Sequence, residues 1–275
     1  MESDEHRKFV IGKIHENKKR DVRLFTFETG INSDPGQYVF VWEPGVSERP
    51  ISIMDGFSVN DFKLLVKKRG PLTGKLFEKK EGDPVLMRGP YGTHFFDFGR
   101  LTPGYQKALF VAGGYGMAPL TFMAQRSPFR TEDKKAIVGF GSSDDIVPEA
   151  LDILRNHCGE VVVTTEDGSY GTKGRVTDLL DSIGPLENRV VYTCGPESMM
   201  REVVERSLKA GASPERIELS MERRMKCGKG ICDSCEVNGI HICREGPVLN
   251  YETLQSSGGF PNYQRDKTGT RVPVD

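Results

Sequence analysis

Excess charge of either sign is missing from this chain. Its 38 lysines and arginines stand against 39 aspartates and glutamates, a formal net charge of −1 over 275 residues. Bulk electrostatics therefore gives no reason to expect a nucleic-acid partner. Long apolar runs are missing too. The longest, around Ala108 to Ala112, is strand-sized and falls far short of the roughly 18 to 20 residues that span a bilayer. The opening MESDEHRKF is charged and has no apolar h-region, so no secretory signal is expected and the chain reads as soluble and cytoplasmic. Internal repeats and coiled-coil heptads are absent. Cysteine is scarce and unevenly spread. Of six, four crowd into 17 positions, while Cys158 and Cys194 stand alone in hydrophobic contexts. In a long cytosolic chain such a cluster points to metal rather than to disulfides.

What is present divides into segments. Residues 1–102 read as all-β. FVIGKI, VRLFTFE, QYVFVW, RPISIM, FKLLVKK and PVLMRGP are short β-branched and aromatic runs, separated by turn residues such as Asp34-Pro35-Gly36 and Gly82-Asp83-Pro84. Strands at this spacing predict a small antiparallel barrel. Residues 103–220 alternate strand with helix, from ALFVA (108–112) through AIVGFG, PEALDILRNH, VVVTT, VTDLLDSI, VVYTC and PESMMREVVERSLKAG to RIELSM. That alternation predicts a doubly wound parallel sheet covered on both faces. Pro196 and Gly211 stand where a helix should start and stop. Residues 221–255 hold the cysteines. Residues 256–275 are polar and glycine-bearing, a tail expected to be flexible or laid over a surface. The fold class is thus α+β multidomain: barrel, parallel α/β domain, small cysteine-rich segment.

The cysteines Cys227, Cys232, Cys235 and Cys243 follow C-x4-C-x2-C-x7-C. The first three match the plant-type ferredoxin spacing. Gly228 and Gly230 let the loop curl around an anionic cluster and offer backbone N–H groups to its sulfurs. Asn238-Gly239 is a two-residue hairpin signal that would return Cys243 to the other three. The alternative is a structural zinc site, although zinc more often takes its thiolates from C-x2-C-like pairs. His241 lies nearby; with four thiolates available it reads as an alternating hairpin side chain.

Arg49-Pro50-Ile51-Ser52 sits on a barrel strand, and Lys67 to Gly74 follows the next. An arginine beside a proline is a preset cation for a diphosphate, and Ser52 could reach a ring system across the barrel. Thr73 is read as capping a short helix, with the N–H groups of Gly74 and Lys75 turned to a phosphate. An edge-strand arginine and a solvated basic face are the plainer readings. Further on, Gly113-Gly114-Tyr115-Gly116-Met117-Ala118-Pro119 joins a buried strand to a helix. It is not G-x-G-x-x-G, but a glycine turn can still bring backbone to a pyrophosphate at a helix start. Cys194-Gly195-Pro196 ends another strand at the carboxyl edge of the sheet. There Cys194 lies near a nicotinamide or is simply a small buried residue. Asp144 and Asp145 follow the second strand, where a carboxylate accepts ribose hydroxyls, which leans to NAD over NADP.

With these sets in this order, the chain resembles the ferredoxin-reductase-like superfamily. R-P-x-S and V-K-x-x-G-x-x-T (Val66 to Thr73) look like its FAD motifs, and G-G-x-G-x-A-P and C-G-P like its NAD(P) motifs. Closer still, PGQYVFVWEPGVSERPIS, RGPYG, TEDGSYGTKGRVTDLL and ERRMKCGKGICDSC…CREGPV are similar to the electron-transfer subunits of two-subunit, NAD-linked dihydroorotate dehydrogenases, archaeal forms in particular. The resemblance implies FAD held by Arg49, Pro50, Ile51, Ser52, Val66, Lys67, Lys68, Gly70, Thr73, Gly74 and Lys75. It implies NAD held by Gly113, Gly114, Gly116, Cys194, Gly195 and Pro196, and a [2Fe–2S] cluster on the four cysteines. It further implies an FMN-containing catalytic subunit as partner, in a heterotetramer of two of each. Electrons would then run from partner FMN through the cluster and FAD to NAD⁺, in pyrimidine biosynthesis. A zinc site beside a flavin would give single electrons no outlet. No acid–base pair for substrate chemistry is visible, and with such a partner none is needed. The short stretch between the third and fourth cysteines keeps open the flavin subunit of sulfhydrogenases and sulfite reductases. A stand-alone NAD(P)H-dependent ferredoxin-type reductase and a zinc-stabilised nucleotide-binding regulator are the other classes.

Overall fold

The computed structural model describes residues 5–17, 19, 21–56, 58, 60–95, 106–266 and 268–273. The expected boundary at 102/103 lies outside the described residues.

Six strands close the N-terminal barrel: β1 (Arg7–Asn17), β2 (Val22–Phe27), β3 (Tyr38–Glu43), β4 (Ser47–Asp55), β5 (Phe62–Lys67) and β6 (Pro84–Tyr91). Their order is β1-β2-β5-β4-β3-β6, all antiparallel, with β6 pairing back to β1. Closure leaves no sheet edge. Alternate residues point inward and fill the interior, and the β2–β5 pair Phe27 and Phe62 stacks with ring centroids 4.7 Å apart. A single short helix, α1 (Pro71–Glu78), caps the barrel between β5 and β6.

The second body contains β7 (Lys107–Gly113), α2 (Met117–Arg126), β8 (Lys134–Phe140), α3 (Pro148–Arg155), β9 (Glu160–Thr165), β10 (Thr172–Lys173), β11 (Arg189–Cys194), α4 (Glu197–Lys209) and β12 (Ile217–Ser220). They form a sheet of order β10-β9-β8-β7-β11-β12, parallel throughout. Strand order reverses between β7 and β11, which opens a crevice at their carboxyl ends. Helix α2 is buried on nearly every residue because it is wedged between sheet and barrel, and Phe122 enters the barrel core. VTDLLDSI forms a 3₁₀ stretch (Val176–Ser182) rather than an α-helix. Its two leading β-branched residues and the left-handed Gly184 (φ 82°) leave too little length for one.

The cysteine segment adds β13 (Glu236–Val237), β14 (Ile240–His241), α5 (Ile242–Glu245), β15 (Val248–Asn250) and α6 (Tyr251–Ser256). Its strand β15 pairs antiparallel with β12 and completes a seven-stranded sheet, so this segment is built onto the parallel domain. The tail, expected to be flexible or laid over a surface, includes a hairpin, β16 (Tyr263–Arg265) and β17 (Arg271–Pro273). The Glu236 carboxylate holds it through Tyr263 and Arg265, and Asn238 Nδ2 donates to the Gly259 carbonyl at 2.8 Å. Among the described residues no helix is long and apolar enough to cross a membrane.

Candidate cofactor cleft and cysteine cluster

A cleft of about 1030 Å³ lies where barrel and sheet meet. It exceeds a typical small-molecule pocket and suits dinucleotides. Arg49, Pro50, Ile51 and Ser52 on β4, Val66 and Lys67 ending β5, and Thr73 on α1 line its barrel side. Gly113, Gly114, Gly116, Gly195 and Pro196 line its sheet side. Lys68, Gly70, Gly74, Lys75 and Cys194 lie outside its lining: Lys75 pairs with Glu78 at 2.7 Å, and Lys68 faces Asp21 at 3.8 Å. Thr73 is not the helix cap. With Pro71 in the first helical turn, the helix begins earlier, and Thr73 Oγ1 reaches back to accept from the N–H groups of Arg69 and Gly70 at 2.8 and 3.1 Å.

The glycines of the sheet side serve contact between the two loops. A Cβ on Gly116 would stand 2.2 Å from the Cys194 carbonyl oxygen, and one on Gly113 2.7 Å from Pro196 and Met199. A Cβ on Gly195, at φ 155°, would stand 2.9 Å from the Gly113 backbone. The G-G-x-G and C-G-P turns are therefore one interlocked unit across the switch point. Cys194 itself is buried beneath this unit, only 2% exposed, and burial pushes its thiol well above the usual range. It is the small buried residue of the plainer reading.

Asp144 and Asp145 join the two bodies. Asp145 accepts from Lys67 Nζ and from the Tyr115 hydroxyl, each at 3.1 Å, and Asp144 faces Lys19 at 3.2 Å. Asp145 also lines the cleft, as does Glu166 just after the next strand, β9. Arg69, Tyr115 and Arg175 also line it; each lies inside a quoted motif but at a position given no role there.

The cysteine loop is shaped by positive φ at Gly228 (74°) and Gly230 (69°). Backbone N–H groups point at sulfur: Lys229 to Cys227 at 3.3 Å, Gly230 to Cys243 at 3.2 Å, Cys243 to Cys235 at 3.4 Å. Asn238 (φ 50°) and Gly239 (φ 87°) make the primed turn that the pair predicted, and β14 delivers Cys243 to the loop. Burial raises the Cys227 thiol, but the N–H groups of Ile231, Lys229 and Cys232 outweigh it and bring it down to about 6. Burial, then contact with Cys235, pushes Cys243 up to about 12. Cys227 also contacts Cys232. No three thiol, imidazole or carboxylate groups among the described residues converge on one ion position. The thiols stand instead as two contacting pairs, a donor set that fits two irons with two terminal thiolates each better than a single tetrahedral ion. His241 turns away, to Asp233 at 2.7 Å and Glu245 at 3.3 Å.

Residues 222–255 match the iron–sulfur cluster binding domain of dihydroorotate dehydrogenase B, and residues 110–205 the oxidoreductase NAD-binding domain. A probable dihydroorotate dehydrogenase B (NAD⁺) electron transfer subunit of Pyrococcus abyssi is 41% identical over 238 residues, covering 86% of this chain and 87% of its own. The chain belongs to this family. A second member, from Methanocaldococcus jannaschii, is 35% identical and covers 96% of this chain and 98% of its own. The fold extends to a structure described as an NADH-dependent reduced ferredoxin-NADP oxidoreductase. Its TM-score is 0.72 at 24% identity, covering 93% of this chain and 94% of that one. The family is that of an NAD-dependent oxidoreductase component, and its defining domains fall on the segment that holds the cysteines and the sheet that holds the glycine loops.

Proposed function

We propose that this chain passes electrons between NAD and the catalytic subunit of a dihydroorotate dehydrogenase, in pyrimidine biosynthesis. The observation that carries the proposal is the shared wall between cleft and cysteine loop. Tyr38 lines the cleft, and its hydroxyl donates to the Cys243 carbonyl at 2.9 Å. A dinucleotide cleft whose wall hydrogen-bonds to the loop carrying the four cysteines is built for handing electrons on.

In this reading Arg49, Lys67 and Arg69 offset the negative charge of diphosphates in the cleft, and Ser52 presents its hydroxyl to the ring of FAD. Bound FAD supplies the exchange between a hydride pair and single electrons. The interlocked glycine turns expose backbone at the carboxyl edge of the sheet for NAD. Cys227, Cys232, Cys235 and Cys243 hold the [2Fe–2S] cluster, and loading it removes the proton that burial keeps on Cys243. The partner is an FMN-containing catalytic subunit, two of each forming a heterotetramer. We assign the assembly to the cytoplasm, where four thiols stay reduced until metal binds.

The test is anaerobic purification with flavin, iron and sulfide analysis, followed by kinetics of the chain alone and with its co-purifying subunit. The isolated chain is expected to reduce artificial acceptors with NADH and to leave dihydroorotate untouched. Dihydroorotate turnover by the isolated chain would overturn this division of labour.

A further inference from the structure

The cysteine loop does not rest on its own segment alone; its floor is the outer wall of the barrel. Phe40 on β3 lies directly beneath the loop, so close that a Cβ on Gly228 would stand 2.7 Å from its ring. The Arg88 guanidinium on β6 lies 4.2 Å above the Phe40 ring and is only 7% exposed. Two hydrogen bonds to Glu48, both 2.7 Å, fix its plane, and Nη1 donates to the Tyr91 hydroxyl at 3.1 Å. The same Nη1 lies 3.4 Å from the Cys227 carbonyl. Two residues along β3 from Phe40, on the same face, Tyr38 donates to the Cys243 carbonyl. The barrel therefore grips the loop at its first and its last cysteine.

We propose that Tyr38 and Arg88 of the barrel are positioning residues for the iron–sulfur cluster, holding the carbonyls of Cys243 and Cys227 and thereby setting how readily the cluster accepts an electron. The proposal rests on the reading of the four cysteines given above. Its physical basis is direct. A carbonyl dipole that is hydrogen-bonded to a donor presents less negative potential to a group beside it, and donors near an anionic cluster favour its reduced form. Arg88 is locked by a carboxylate and packed between rings, so its donor direction is set before any metal enters. Tyr38 is 2% exposed and packs against both Phe40 and Tyr91, so its hydroxyl has one place to go. Because Tyr38 also lines the cleft, the same side chain ties the cofactor cleft to the cluster loop.

The test uses the full chain purified anaerobically as wild type, Tyr38→Phe and Arg88→Lys, with flavin, iron and sulfide quantified first. Tyr38→Phe keeps the ring and removes one donor. Arg88→Lys keeps the charge but cannot hold Glu48 with two hydrogen bonds while reaching Cys227. With flavin retained, each variant is expected to move the one-electron equilibrium between cluster and a redox mediator toward the oxidised cluster. The expected shift is about threefold to tenfold, the net effect of one ordinary hydrogen bond. For one electron that is about 28 to 59 mV. The electron paramagnetic resonance g values of the reduced cluster should move with it, a change that general loosening of the fold does not produce. Flavin-loaded variants that both keep wild-type g values and an equilibrium within about twofold of wild type overturn the proposal. A wild-type chain with flavin but no iron or sulfide overturns the cluster reading beneath it, before any variant is compared.

Discussion

Replacing Gly116 by alanine tests the interlock at the sheet switch point most directly. The added Cβ would stand 2.2 Å from the Cys194 carbonyl oxygen and 2.5 Å from its carbon. To reach 3.0 Å, the two turns must part by about 0.8 Å, and both neighbours are backbone. Overpacking of this kind costs about 1–3 kcal/mol, and with no flexible side chain to yield the upper end applies. At about 2–4 °C per kcal/mol for a domain of this size, the melting temperature should fall by about 6–12 °C. The same movement shifts the G-G-x-G turn away from its partner. A displacement near 1 Å at a binding loop costs on the order of 100-fold, which should appear in kcat/KM for NADH with an artificial acceptor. Gly82→Ala is the control. Its added Cβ meets nothing within 4 Å, and its only strain is a positive φ (89°) that Gly116 (φ −58°) lacks, so it should cost about 1 kcal/mol with NADH kinetics unchanged. The interlock argument is refuted if Gly116→Ala melts like wild type and keeps wild-type kcat/KM for NADH.

The remaining expectations follow from single contacts. Glu48→Gln should destabilise the barrel by about 1–3 kcal/mol at neutral pH, because a neutral amide replaces the charged partner of a buried guanidinium. Burial raises the Glu48 carboxyl, but its hydrogen bonds to Arg88 and His6 outweigh this and hold it below the usual value. A folded-state value below the unfolded one contributes stability above the unfolded pKa of about 4.3 and loses it as pH falls further. Urea midpoints of wild type and variant should therefore converge below about pH 4. Asn238→Ala removes both a left-handed turn residue and the hydrogen bond to Gly259, at a cost of about 1–2 kcal/mol. Limited proteolysis should then cut the tail after Gly259 faster, with flavin content unchanged. Iron chelation under denaturant, followed by dilution, should return a chain that binds flavin and in which Cys227 and Cys232 are alkylated first, as counted by mass spectrometry, because Cys235 and Cys243 are buried. Cys158 and Cys194, both buried, should stay unmodified in the folded protein.

Much of this molecule was legible from residue order because its chemistry is local. The C-x4-C-x2-C-x7-C spacing and the Asn-Gly turn each act over a short stretch of chain, so sequence distance stands for distance in space. Strand rhythm likewise predicted barrel and parallel sheet, since side-chain period decides which face is buried. Tertiary structure decided what depends on neighbours far along the chain. Tyr38 meets Cys243 across 205 positions and Arg88 meets Cys227 across 139, contacts that the quoted stretches PGQYVFVWEPGVSERPIS and RGPYG do not disclose. Asp145 looked available for a ribose, but Lys67 and Tyr115 take its carboxylate once the barrel docks. Cys194 looked able to face a ligand, but its strand register turns the thiol into the core. Many of the residues that line the cleft and the cysteine loop are thus written in short motifs. The walls that hold those motifs in place exist only after two bodies and a cysteine loop pack together, because hydrogen bonds and burial are settled by proximity in space.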